Sequence, residues 1–313
     1  MHIYYDLNEV GPIKNPVVTT GIFDGVHVGH KAILDRLKKI AKEIAGETVV
    51  ITFHPHPRAI LYPKTTGKDL KLIYSQAEKI KLIEQMGIDH LIILTFTKEF
   101  AATTSQEFVK KILVKKLNTK KIVVGFNHQF GHMKTGNYRI LERMGRDFGF
   151  GVEEIPAQEL ENETISSSRI RNALADGNIQ RANAYLDHYY SILGTLQKGD
   201  KKFSTIGFPM YTLVPDSEEK LFPPSGLYAI SINFNEVHLR GMLMISNHND
   251  IRLKHKARLI EVTFFKSQNL QLVGKTISVY FHKRIRKHLS FISTEKLRAQ
   301  LIRDKIKIEE LIF

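Results

Sequence analysis

Four runs of apolar, largely β-branched residues punctuate the first half of the chain: 17–23 (VVTTGIF), 48–53 (TVVITF), 90–96 (HLIILTF) and 121–126 (KIVVGF). The stretches 30–45, 75–87, 104–117 and 136–149 instead space their apolar residues as a helix does. Continuous apolar runs suit parallel strands buried on both faces, and amphipathic segments suit the crossover helices that cover them. The alternation predicts an α/β unit built on an open, doubly wound parallel sheet. Ligands of such sheets bind beyond the carboxyl ends of the strands, here the turns after Phe23, Phe53, Phe96 and Phe126.

Two short helical segments, 166–177 and 178–187, bridge to a different pattern. After His188 the runs are 190–196, 205–213, 227–234, 237–245, 257–265 and 276–282, several of them alternating apolar with polar. Gly, Pro, Asn or Asp separate them, which predicts an antiparallel sheet or small barrel. A last helix is predicted at about 293–312, with a Ser-Thr start and Glu soon after. The fold class expected is α/β, an N-terminal doubly wound parallel sheet over 1–187, plus a C-terminal antiparallel β-barrel with a terminal helix over 188–313.

Composition narrows the chemistry. At 313 residues, with 42% hydrophobic and 25% charged, the chain has a globular balance and room for two domains. With no cysteine, disulfides, thiolate catalysis and cysteine-ligated zinc are excluded. A formal charge of +14 favours anionic partners such as nucleotides, nucleic acid or a membrane surface, although the Lys and Arg are scattered as much as clustered. The basic stretch 282–288 (HKRIRKH) lacks aromatic interleaving and reads as a solvated edge, so nucleic acid is not an expected partner. The first residues show no basic stretch followed by an apolar core, and no window approaches about eighteen consecutive apolar residues. No signal peptide and no membrane partner are expected, and the cytoplasm is the expected location.

The segment 20–30 (TGIFDGVHVGH) links the first strand to the first helix. A helix start there aims unpaired N–H groups and a positive dipole end at the turn before it, which makes an anion site. Gly21, Gly25 and Gly29 allow close backbone approach. His27 and His30 straddle Gly29, and imidazole N–H groups there can donate to phosphate oxygens and stabilise charge growing in a transition state. In 165–171 (ISSSRIR), hydroxyls at a predicted helix start can cap that helix, present donors to phosphate, or both. His54 and His56 lie at a strand's end between stiffening prolines and read as polar lining, with no acidic partner nearby to suggest a metal.

GIFDGVHVGH resembles the nucleotidyltransferase superfamily with the His-x-Gly-His signature, a Rossmann-like fold, and within it the bacterial bifunctional riboflavin kinase/FAD synthetases. The stretches 51–61, 124–131 (VGFNHQFG) and 165–171 are similar to that family's other motifs. The resemblance spans the chain. It implies ATP and FMN as substrates, FAD and pyrophosphate as products, and Mg²⁺ accompanying the triphosphate. His27 and His30 would be catalytic; Gly21, Phe23, Asp24, Gly25, Gly29, Ser167, Ser168 and Arg171 would bind ATP and its phosphates; His56 and Asn127 would contact flavin. His128 and Gln129 depart from the Phe and Arg of many members. No metal ligands are assigned.

In the barrel the family carries Gly-Phe-Pro-Thr-Ala-Asn, and this chain reads 207–212 GFPMYT, with Met210 for the Thr and Thr212 for the Asn. A thioether is a poor ligand for a hard cation. Lys256 stands at the position taken for the family's catalytic Glu, with Glu261 further on, and 241–250 is far from the corresponding family motif. These departures give the expectation of an FMN adenylyltransferase whose riboflavin kinase activity is lost, with a bifunctional enzyme, or a flavin- or nucleotide-binding regulator without turnover, as the alternatives.

Overall fold

The computed structural model describes residues 1–126, 128–160, 163–235, 237–249, 256–265, 270–289 and 292–311. The chain divides into two compact units, Met1–Leu72 with Gln76–Ser167, and Ile73–Ser75 with Ser168–Phe313.

The first unit holds β1 (His2–Tyr4), β2 (Val17–Thr20), β3 (Thr48–His54), β4 (His90–Thr95), β5 (Lys121–Gly125) and β6 (Gly151–Ile155) in one sheet, ordered β1-β4-β3-β2-β5-β6. Every pairing in it is parallel. From β2 the chain runs outward through β3 and β4, then returns to lay β5 on the other flank of β2. That reversal makes the carboxyl ends of β2 and β5 the switch point where such sheets open a crevice. Burial on both faces explains the apolar runs: Val17, Val50, Leu91 and Val123 pack on one side, and Val18, Ile51, Ile92 and Val124 on the other.

The helices of this unit are α1 (Val28–Glu43), α2 (Pro57–Leu61), α3 (Gln76–Gln85), α4 (Lys98–Ala101), α5 (Ser105–Glu107) and α6 (Tyr138–Phe148). A π-helical stretch, Phe108–Lys116, follows directly on α5. A two-stranded hairpin, β7 (Glu159–Leu160) with β8 (Glu163–Thr164), precedes α7 (Ser167–Ala175), whose first residue closes the unit.

The second unit continues with α8 (Ile179–Leu186) and β9 (Ser191–Lys198), α9 (Lys201–Thr205), β10 (Tyr211–Pro215), β11 (Gly226–Phe234), β12 (Val237–Asn249), β13 (Lys256–Phe264) and β14 (Thr276–Lys287), ending in α10 (Thr294–Leu311). The strands form a closed barrel, β10-β13-β12-β11-β14-β9, with β9 returning to β10 in antiparallel register. Closure removes free edges. Helix α10 docks through Leu301 and Ile308, and its buried Asp304 accepts from Arg286 of β14 at 2.9 and 2.8 Å. Residues 73–75 join this unit because Lys220, fully buried, donates to the Ile73 carbonyl at 3.0 Å and lies 4.6 and 4.7 Å from the Tyr74 and Tyr190 ring centroids. The strand expected at 205–213 forms only from Tyr211. Residues 201–205 are helical, Gly207 takes φ 83°, and Pro209 has no N–H for a ladder.

Candidate functional site

The turn between β2 and α1 carries three residues with positive φ: Phe23 at 52°, Gly25 at 96° and Val26 at 43°. Such non-glycine conformations cost about 1–3 kcal/mol each and persist only where packing enforces them. Here the Phe23 and Val26 side chains are 1% exposed and packed with Leu34, Leu37 and Ile40 of α1. Burying each such side chain contributes roughly 1.5–3 kcal/mol, so the anchors outweigh the strain. Phe23, expected among the phosphate-binding residues, therefore offers a ligand only its backbone, because its ring is an anchor in the core. Gly21 lets that ring fold back: a Cβ there would lie 3.1 Å from it.

His27 is the residue just before α1, and its side chain does not cap the helix. The first intrahelical bond runs from the Lys31 N–H to the His27 carbonyl, 2.9 Å. The N–H groups of Val28, Gly29 and His30 therefore have no intrahelical acceptor. The first turn holds no acidic residue to meet the positive dipole end. The His27 and His30 rings stack at 3.7 Å, inclined by 20°, and His30 leans on Phe23 at 5.0 Å. A Cβ on residue 29 would fall 3.2 Å from His27 Cε1 and 3.3 Å from Nδ1, so Gly29 is what leaves room for the ring. His30 Nδ1 is buried without a hydrogen-bond partner among the described residues. Burial first, then the neighbouring His27 and Lys79, hold the His30 imidazole well below its ordinary pKa. At neutral pH it is uncharged, with one N–H to donate.

Lys79 was not foreseen. It lies on α3 and is 7% exposed, and its ammonium donates to Thr52 Oγ1 at 3.2 Å and to the Ile22 carbonyl at 3.4 Å. Burial pulls its pKa down to about 8, with Asp24 acting in the opposite sense. The folded arrangement separates it from Lys81, the exposed lysine of the same helix.

The remaining expected residues divide. Ser167 Oγ donates to the Asp24 carbonyl at 2.9 Å, tying the start of α7 to the turn, and the Asp24 side chain is buried. Ser168 and Arg171 follow in α7 and belong to the second unit. His56 caps α2: its Nδ1 accepts from the Arg58 N–H at 3.0 Å, which leaves Nε2 as the proton-bearing nitrogen. Asn127 lies outside the described residues. A cluster of aromatic rings, mostly half-buried, gathers around Phe100. Phe100 sits 5.7 Å from Phe53, 5.8 Å from Phe96 and 6.5 Å from Phe108, and Phe130 lies 5.8 Å from Phe108 and 5.7 Å from His128. Burial lowers the His128 pKa to about 4. Among the described residues no group of three His, Asp or Glu side chains is arranged to hold a metal. No helix among them is long and apolar enough to cross a membrane.

In the barrel, Met210 packs with Phe203, Phe208 and Leu227. Thr212 pairs directly with Glu261 across β10 and β13, and Glu261 is 6% exposed. Lys256 pairs instead with Asn249, five residues from Glu261 along β13 and so roughly 16 Å away. The residue of β13 that faces the GFPMYT segment is thus Glu261 and not Lys256.

A family model for FAD synthetase matches residues 12–169, and one for riboflavin kinase matches residues 186–312. A protein of Buchnera aphidicola subsp. Schizaphis graminum, named bifunctional riboflavin kinase/FMN adenylyltransferase, is 35% identical, covering 93% of this chain and 92% of its own. The protein of the same name from Escherichia coli K12 is 31% identical, covering 96% and 93%. A crystal structure described as a macrolide-efflux protein from Streptococcus pneumoniae has the same fold, with TM-score 0.88 and 30% identity over 98% of each chain.

Proposed function

The chain belongs to the bifunctional riboflavin kinase/FMN adenylyltransferase family, and on that premise we propose that it transfers AMP from ATP to FMN, giving FAD and pyrophosphate. A phosphate oxygen of FMN attacks the α-phosphorus of ATP; that P–O bond forms as the bond to the β-phosphate oxygen breaks, and pyrophosphate leaves. No protein nucleophile takes part, so the chain's work is positioning and stabilisation of spreading negative charge.

The observation that carries this reading is the stacked pair His27 and His30 at the amino end of α1, which follows β2 at the switch point between β2 and β5. The amides of residues 28–30 and the two imidazoles would hold the polyphosphate and meet the charge of departing pyrophosphate. Gly21, Asp24, Gly25, Gly29 and Ser167 would shape and brace that cradle; Ser168 and Arg171 are further ATP-binding residues that the family resemblance implies. The rings around Phe100 suit a flat aromatic acceptor, and His56 and Asn127 are the polar residues that the family resemblance implies for it. Mg²⁺, which the family implies, fits as a companion of ATP. It commonly uses one or two carboxylates with substrate phosphates, and Asp24 is the carboxylate of this turn. When bound it would neutralise triphosphate charge.

A second activity, phosphorylation of riboflavin by the barrel, is favoured by Glu261 standing opposite Thr212, a carboxylate beside a hydroxyl on one face of the barrel wall. The full-length bifunctional relatives support it and lend no support to loss of the kinase. Adenylyl transfer is assigned to 1–187 and phosphorylation to 188–313.

One experiment tests both. Purified chain is incubated with ATP and either FMN or riboflavin, and FAD, FMN and pyrophosphate are followed. FAD from FMN is the expected result, falling by orders of magnitude in a folded His30→Ala variant. FMN from riboflavin, lost in Glu261→Gln, is expected of the barrel. A folded His30→Ala variant with normal turnover would defeat the first assignment, and a wild-type chain that leaves riboflavin unphosphorylated the second.

A further inference from the structure

Helix α3 covers one face of the parallel sheet and buries Ile83 there, as an amphipathic crossover helix should. One turn earlier it also buries Lys79. An ammonium taken out of water is costly unless it is paired, and a leucine or methionine would serve the packing better. Lys79 is paired, but with neutral oxygens rather than an ion-pair carboxylate in contact. Its Nζ bonds Thr52 Oγ1 and the Ile22 carbonyl, and the Thr52 hydroxyl itself donates to that same carbonyl at 3.1 Å. The three groups close a triangle between α3, the end of β3 and the first residues of the strained turn. An ammonium has three protons, and the third has no hydrogen-bond partner among the described residues.

We propose that Lys79 is a positioning residue for adenylyl transfer: by bonding the Ile22 carbonyl and the Thr52 hydroxyl together, it sets the turn that presents His27 and His30 and fixes a cation beneath it. The inference rests on the adenylyltransferase reading. Two consequences follow from the geometry. The segment after β2 is held at Ile22, immediately before Phe23 and Asp24, so the turn cannot swing away from the end of β3. The cation also balances the buried Asp24 and adds to the positive end of α1, which favours an incoming polyphosphate. Lys79 acts through Ile22, Asp24 and His30 rather than by touching the reacting atoms.

Its charge reaches His30 as well. The titratable groups facing His30 are His27, next to it on the turn, and Lys79 from α3, while Asp24 faces Lys79. Removing the cation makes His30 easier to protonate, so activity should be lost to acid at a higher pH than in the wild type.

The test uses the full chain carrying Lys79→Met or Lys79→Arg, with FAD formation followed against ATP, FMN and pH. Lys79→Met should fold, lower kcat by ~10–100-fold, and move the acid limb of kcat/KM for ATP to higher pH. Lys79→Arg, which keeps the charge and the donors, should recover much of kcat and leave the acid limb in place. A Lys79→Met variant with wild-type kcat overturns the proposal. So does one whose kcat falls while the acid limb stays, because that marks a general structural role. Should Lys79→Met fail to fold, Lys79→Gln keeps a donor for the Ile22 carbonyl and loses only the charge, and it carries the same expectations. A wild-type chain that makes no FAD overturns the adenylyltransferase reading and this inference together; a wild-type chain that makes FAD beside unchanged variants overturns this inference alone.

Discussion

Replacing Gly29 with alanine separates the needs of the helix from those of the chemistry. Gly29 is not among the residues with positive φ, so the backbone accepts a side chain there without strain. Within α1, alanine is favoured over glycine by up to about 1 kcal/mol, so the helix gains if anything. The added Cβ, however, would sit 3.2 Å from His27 Cε1. Carbon atoms in ordinary contact lie about 3.5–4.0 Å apart, so the ring must retreat by about 0.3–0.8 Å. It has nowhere convenient to go, because the His30 ring lies 3.7 Å away on a stacked face. Misplacement of a catalytic group by about an ångström costs up to 10²-fold. Gly29→Ala should therefore lower FAD formation ~10–100-fold, or about 1.4–2.7 kcal/mol of transition-state stabilisation. Its melting temperature should stay level or rise by a few degrees, about 2–4 °C per kcal/mol for a unit of this size. Coupled measurements of pyrophosphate release and thermal unfolding decide the matter. Full activity would show that the His27 ring position is irrelevant, and a parallel fall in activity and stability would show that Gly29 serves the fold instead.

Acid should destabilise the native chain through its histidines. His30, His128 and His282 all have pKa values lowered by burial, the last two to about 4. The unfolded chain then binds more protons between about pH 4 and the ordinary histidine value near 6.5, so stability falls as pH falls through that window. Thermal melts from pH 7 to 4 should show the decline, with a shallower slope in His128→Phe; an identical slope would contradict it. In the barrel, Asp304→Ala would remove the buried carboxylate that pairs with the Arg286 guanidinium, which is 14% exposed. Losing one member of such a pair costs about 3–5 kcal/mol, to be read from denaturant unfolding. The double variant Arg286→Met with Asp304→Leu should recover most of that loss, and a loss under about 1 kcal/mol in Asp304→Ala alone would refute the reasoning.

The alternation of apolar runs and amphipathic segments was enough to read the sheet and its helices, because burial on both faces leaves a continuous signature. Edge strands left none. Strand β1 has three residues, two of them exposed, and β6 carries Glu153, which pairs with Arg36 of α1 at 2.9 Å. A strand half open to water and ion-paired to a helix does not look like a buried run. The cradle was legible because it is local: three glycines, two histidines and a helix start lie within ten residues. Phe23 and His56 were visible as members of the right segments, but whether each anchors, caps or binds depends on what packs against it. Lys79 was out of reach, since it comes to the turn from a helix more than fifty residues away in sequence. The pairing of Glu261 with Thr212 was out of reach for a related reason: only strand register decides which residue of β13 meets β10, and motif spacing does not supply it.

The most direct test of the central claim is a structure of the full chain with a non-hydrolysable ATP analogue. The account predicts phosphate oxygens within hydrogen-bond reach, about 2.7–3.2 Å, of the amides at the start of α1 and of the His27 and His30 rings. A polyphosphate bound elsewhere, with both rings turned from it, would contradict the account.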